Sequence, residues 1–137
     1  MARRWVGVAV VAVAVLGACG GGGESGTTVR VTLTEFRIVT DAASAPAGRV
    51  TFRAVNRGQQ NHELVVLRTD LAPDALPVTG AKVDEDAAGI DAVGEIEEFG
   101  PGKTEKASFE LRPGAYVLIC NIEGHYQQGM HAGFTVR

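Results

Sequence analysis

Three residues whose side chains bind soft or borderline metals recur at equal five-residue steps in the stretch CNIEGHYQQGM: Cys120, His125 and Met130. A thiol, an imidazole and a thioether held in one short loop can converge on a single ion once a further donor arrives from elsewhere in the chain. His62, in NHELVV, is the candidate for that donor. Two imidazoles, a thiolate and a weak thioether form a ligand set suited to copper. Each residue alone has a plainer reading. A strand-borne cysteine is commonly a small buried hydrophobe and a methionine commonly fills core, and a histidine at the mouth of an apolar strand is commonly structural. The combination changes that balance: besides the initiator Met130 is the only methionine, besides Cys19 Cys120 is the only cysteine, and one of three histidines falls midway between them.

Preceded by Gly114-Ala115-Tyr116-Val117-Leu118-Ile119, the Cys120 to Met130 stretch resembles the C-terminal copper loop of the cupredoxins, in which a G-x-Y strand leads into the cysteine and then the histidine and methionine follow. The C-x4-H-x4-M spacing is similar to that of the longer-loop, rusticyanin- and auracyanin-like type, and the resemblance spans residues 29–137. It implies a copper ion cycling between Cu(I) and Cu(II), held by His62, Cys120, His125 and Met130, with His62 where the family places its first ligand. It also implies an electron carrier, not an enzyme, that shuttles single electrons between redox protein partners. The chain departs from the family at one point: cupredoxins often carry Asn or Ser just after that first histidine, in support of the cysteine sulfur, and this sequence has Glu63.

The elements that must position these residues read as strands. Val29, Val31 and Leu33 alternate with Arg30 and Thr32, then the apolar phase switches to Phe36 and Ile38, which predicts a bulge or bend near Thr34 and Glu35. Val50, Phe52 and Ala54 alternate with Arg49, Thr51 and Arg53. After the turn residues 56–61, the run HELVVLRT is apolar on both faces and predicts a central strand opening at His62. Residues 70–91 lose the alternation and predict an irregular excursion with one helical turn around 82–88 and no chemistry. Alternation returns at 95–99 and again as Ala107, Phe109 and Leu111. In the last two strands Tyr116, Leu118 and Cys120 share one face, and Met130, Ala132, Phe134 and Val136 share another; Tyr116 reads as a structural anchor. If residues 130–136 are extended, His131 points away from the Met130 face and is no ligand. Many short strands with Gly and Pro turns predict an all-β domain, a two-sheet antiparallel Greek-key β-sandwich.

Ahead of the domain, MARRWVGVAVVAVAVLGAC sets Arg3 and Arg4 before about a dozen apolar residues, too few for the ~20 that span a bilayer. Residues 1–18 read as a signal peptide, and Leu16-Gly17-Ala18-Cys19 resembles a bacterial lipobox with Cys19 as the lipidation site. The glycine-rich residues 19–28 then form a flexible tether, and residues 29–137 the domain. The protein is expected to be exported, anchored to the membrane by lipid on the extracytoplasmic side, and to meet membrane-associated partners. In that compartment a lone thiol is exposed to oxidation, and metal ligation shields Cys120 from it.

Loss of Arg3 and Arg4 with the leader moves the formal charge from −3 to −5. An acidic chain with no clustered basic surface excludes nucleic acid as a partner. Acidic residues gather at Asp84, Glu85, Asp86, Asp91, Glu95, Glu97 and Glu98, which reads as a solvated stretch. A multicopper enzyme needs further histidine clusters, and after His62 and His125 only His131 remains. Thiol-protease chemistry leaves Met130 unexplained. The competing function is an extracytoplasmic copper chaperone or store that delivers copper to an oxidase.

Overall fold

A computed structural model describes residues 25–137. The expected signal peptide, Cys19 and tether residues 20–24 lie outside the described residues.

Alternation produces strands where it was expected. Val29, Val31 and Leu33 on β1 (Thr27–Thr34), and Val50, Phe52 and Ala54 on β4 (Gly48–Asn56), are all buried, while their neighbours are half-buried or exposed, Asn56 excepted. Strand structure begins at Thr27, two residues before the expected boundary. Thr27 and Thr28 pair with Val50 and Thr51, and β-branched threonine suits a half-buried strand. The bend expected near Glu35 is the turn from β1 into β2 (Arg37–Thr40), and β9 (Thr104–Leu111) pairs with β4. These strands form one sheet in the order β2-β1-β4-β9. The second sheet contains β3 (Ser44–Ala45), β11 (His131–Val136), β10 (Gly114–Ile119), β5 (His62–Arg68) and β8 (Asp91–Phe99), in that order.

The sandwich is the expected one, but its sheets are mixed. β1 pairs with β4, and β3 with β11, in parallel. After β2 the chain crosses to the edge of the second sheet as β3 and returns as β4, so β4 runs beside β1 in the same direction. Period-two alternation tells which face a residue occupies and says nothing of strand direction.

Between the sheets, Phe52 meets Phe134 of the facing sheet edge-on at 5.4 Å, in a core shared with Leu33, Leu64, Leu118 and Met130. β5 is apolar on both faces, as expected of a central strand. Leu64 and Val66 enter this core, whereas Val65 and Leu67 join Val117 and Ile119 on the outer face of the sheet. That outer face needs a cover, because each large aliphatic side chain removed from water is worth roughly 1.5–3 kcal/mol. The 70–91 excursion supplies it with Leu76, Val83 and Ile90.

The helical turn expected there does not form. Lys82–Val83 is instead strand β7, in a small hairpin with β6 (Val78–Thr79), and turns follow at Asp84–Ala87 and Ala87–Ile90. Two local preferences outweigh helix. Val83 must be buried over the sheet, and the Asp84 carboxylate accepts the Asp86 N–H at 3.1 Å, a side-chain bond that competes with the helical ladder. Tyr116 is the anchor it was read to be: its hydroxyl donates to the Arg112 carbonyl at 2.8 Å, the tie that fixes a corner in β-sandwiches.

Candidate metal centre

At one end of the sandwich the β1–β2 turn, the 57–61 turn, the start of β5 and the 121–130 loop come together. His62 opens β5, Cys120 follows β10 directly, and His125 lies in the loop returning to β11. Their donor atoms all lie within 4.8 Å of one another, and all three residues are buried. The Cys120 sulfur is 3.9 Å from His62 Nδ1 and 3.4 Å from His125 Nδ1. Metal–sulfur bonds of ~2.3 Å and metal–nitrogen bonds of ~2.0 Å, meeting at tetrahedral to trigonal angles, put sulfur and nitrogen about 3.5–3.8 Å apart. The donor set therefore fits one ion with little movement.

Burial pushes the Cys120 thiol above its usual range, against the opposing Glu63 and Ile122 backbone N–H groups. Without metal the thiol keeps its proton, and binding must displace it. Burial, with the neighbouring His62, holds His125 below the usual imidazole range, which favours the neutral ring that ligation requires.

The loop is tightly wound. His125 N–H donates to Ile122 O at 2.9 Å, Met130 N–H to His125 O at 3.1 Å, and Cys120 N–H to Met130 O at 3.1 Å, which closes the base of the loop. Met130 is fully buried in the same core cluster as Cys120. His131 stands outside the donor group, half-buried on β11 with its ring 5.3 Å from that of Tyr126, as the parity of the strand predicts.

Glu63 takes on two jobs here. Its backbone N–H points to the Cys120 sulfur at 3.5 Å, and its carboxylate accepts the Asn121 N–H at 2.9 Å, so it brackets the cysteine from both sides. Burial raises its carboxyl above the usual range, against the Asn121 N–H that lowers it.

The 70–91 excursion offers no donor, yet it holds the loop. Asn121 Oδ1 accepts the Val83 N–H at 2.7 Å, and its amide donates to Val83 O at 3.1 Å and to Glu85 at 2.7 Å. Tyr126 OH accepts from Leu76 N–H at 2.9 Å and donates to Pro73 O at 2.8 Å. Gly124 N–H donates to Ala81 O at 2.9 Å.

Sequence reasoning missed Glu35, Phe36 and Gln60. Glu35 Oε1 lies 3.1 Å from His62 Nε2, Gln60 Oε1 lies 3.2 Å from His125 Nε2, and the Phe36 ring meets His125 edge-on at 5.1 Å. The Gln60 N–H bond, ahead of those from Gln59 and His62, holds the Glu35 carboxyl below its usual range.

No family model and no curated protein matches the chain. Among solved structures, dithionite-reduced auracyanin from the photosynthetic bacterium Roseiflexus castenholzii is 24% identical, covering 81% of this chain and 97% of its own with a TM-score of 0.56. Auracyanin A, a "blue" copper protein from Chloroflexus aurantiacus, is 20% identical over 82% of this chain and 99% of its own, at 0.54. Rusticyanin from Thiobacillus ferrooxidans is 19% identical over 82% of this chain and 79% of its own, at 0.59. At these identities the likeness is one of fold, and it is the fold expected from the Cys120–Met130 loop: the chain is a β-sandwich of the cupredoxin type, shared with auracyanin and rusticyanin.

Proposed function

We propose that this protein is an exported, lipid-anchored electron carrier with one copper ion held by His62, Cys120, His125 and Met130. The observation that carries the reading is the convergence of two buried imidazole nitrogens on a buried thiol that is in no disulfide. Copper, when bound, supplies reversible one-electron chemistry. The protein supplies the rest: Cys120 is a strong donor, the two imidazoles complete the set, and the bonds around the loop resist rearrangement between redox states. His125, at 6% exposure against 0% for His62 and Cys120, is the donor nearest to solvent and so to a redox partner. Zinc suits the same nitrogen and sulfur donors, but copper(II) binds such sites more tightly and the thioether favours copper. A chaperone or store would be expected to expose its ligands for transfer, whereas these are closed in. The blue copper protein among the fold neighbours supports the same reading. Metal analysis and a visible spectrum of the purified protein test it. One copper per chain with an intense visible band is expected; a zinc-only or colourless copper-loaded protein refutes it.

Met130, buried in the same core cluster as Cys120, would supply a weak thioether donor that sets the potential. Met130→Gln, which offers a harder oxygen, should keep copper and lower the reduction potential. Met130→Leu, which removes the donor, should keep copper and raise it, and His131→Ala should change neither. If His131→Ala strips the copper while Met130→Leu leaves spectrum and potential unchanged, the further donor is His131 and not Met130.

Lipid anchoring rests on Leu16-Gly17-Ala18-Cys19 and the glycines after it. Cys19→Ala should move the protein from the membrane to the soluble fraction and stop incorporation of labelled fatty acid. A variant that stays on the membrane, alongside a wild type that takes up no label, refutes the anchor.

A further inference from the structure

We infer that Glu35 is the positioning residue for both imidazoles of the metal centre, holding His62 directly and His125 through Gln60; the inference rests on the copper reading above. One carboxylate oxygen, Glu35 Oε1, accepts the backbone N–H groups of Gln59 and Gln60, each at 2.7 Å, and stands 3.1 Å from His62 Nε2. An ionised carboxylate only accepts hydrogen bonds, so the proton of the neutral His62 ring sits on Nε2 and the Nδ1 lone pair is left facing the Cys120 sulfur. The same oxygen fixes the Gln60 backbone, whose side-chain oxygen lies 3.2 Å from His125 Nε2. It sets the second ring in the same way, with Nε2 protonated and Nδ1 turned to the sulfur at 3.4 Å.

The surrounding turn is built to receive this carboxylate. Asn56, fully buried, donates to Gln60 O at 2.8 Å and Phe99 O at 3.0 Å and accepts from Gly58 N–H at 2.9 Å, which shapes the 57–61 turn. A Cβ on Gly58 would fall on the Glu35 carboxylate, so the absence of a side chain there makes room for it. Gly58 has no positive φ, so alanine would fit the backbone and meet the Glu35 carboxylate first. A carboxylate accepting from a ligand histidine fixes its tautomer and strengthens it as a donor. Its negative charge favours Cu(II) over Cu(I).

The test uses the full-length chain with Glu35→Gln, Glu35→Ala and Gly58→Ala. Glu35→Gln keeps the shape and removes the charge. It should shift the Cu(II)/Cu(I) affinity ratio about tenfold toward Cu(I), a rise of about 59 mV for a one-electron couple. Glu35→Ala and Gly58→Ala, which remove or displace the acceptor, should weaken Cu(II) binding roughly 10–100-fold. In the metal-free protein, nitrogen-15 NMR of the His62 ring should show a single Nε2–H tautomer in wild type and a mixture in Glu35→Ala and Gly58→Ala. If Glu35→Ala fails to fold, Glu35→Gln and Gly58→Ala carry the measurements. The inference is overturned if the Glu35→Gln potential stays at the wild-type value while the acceptor-removing or acceptor-displacing variants keep one tautomer and wild-type affinity; Glu35 then merely caps the 57–61 turn. A wild type that takes up no copper refutes the electron-carrier reading instead, and the metal-free tautomer measurement then decides the role of Glu35.

Discussion

Cys120→Ser should give a folded protein with no intense visible band at any copper loading. The intensity expected of the wild type comes from charge transfer out of a thiolate, and Cys120 is the one free cysteine among the described residues. A serine hydroxyl occupies nearly the same space in contact with the Glu63 N–H, so the fold should persist. A hydroxyl, however, neither ionises readily nor matches a soft metal, so copper should also bind far more weakly. Copper titration followed in the visible, with circular dichroism to confirm the fold, measures both effects. A Cys120→Ser protein that keeps the band would place the charge-transfer donor elsewhere and remove the basis for the copper reading.

The largest effect on stability is expected from Phe52→Ala. Phe52 is fully buried on the inner face of the four-stranded sheet and touches Phe134 of the opposite sheet at 5.4 Å and Phe109 beside it at 6.3 Å. Deleting such a ring costs about 3–5 kcal/mol, through lost transfer energy and the cavity left behind. Domains of this size are stable by only about 5–15 kcal/mol, so about a fifth of the total is at stake at the least. Val39, 45% exposed on edge strand β2, gives the contrast; its replacement by alanine should stay within about 0.5 kcal/mol. Urea unfolding of the two variants decides the matter. A midpoint for Phe52→Ala close to that of Val39→Ala would mean that this ring does not hold the sheets together.

The candidate donors were legible because they are rare residues at regular spacing in one loop, and His62 because it opens a strand apolar on both faces. The same alternation placed Tyr116 and set His131 apart from the donor group. Glu35 and Gln60 were not legible for a different reason. They are common polar residues in turns 27 and 65 positions away from the histidines they contact, and only the sandwich brings those turns together. The 70–91 excursion carried no periodic signal, because its apolar residues Leu76, Val83 and Ile90 answer to the outer face of β5 and β10 rather than to a pattern of their own. Glu63 was legible as a departure from Asn or Ser, but its substitute role needed the Asn121 N–H in place to be read.

The direction of β1 has a consequence for how the molecule can be mounted. The strand begins at Thr27 beside Val50 and ends at Thr34, next to Glu35 and the donor cluster. Its seven residue steps, at ~3.3 Å each, separate the entry of the chain from that cluster by about 23 Å. A lipid, a fusion partner or an electrode linker joined ahead of Thr27 therefore pulls on the end of the sandwich remote from His125. On the proposed electron-carrier reading, a protein held that way has its donor end on the far side from the attachment, open to a carrier arriving from solution, and exchange with the holding surface requires it to turn over.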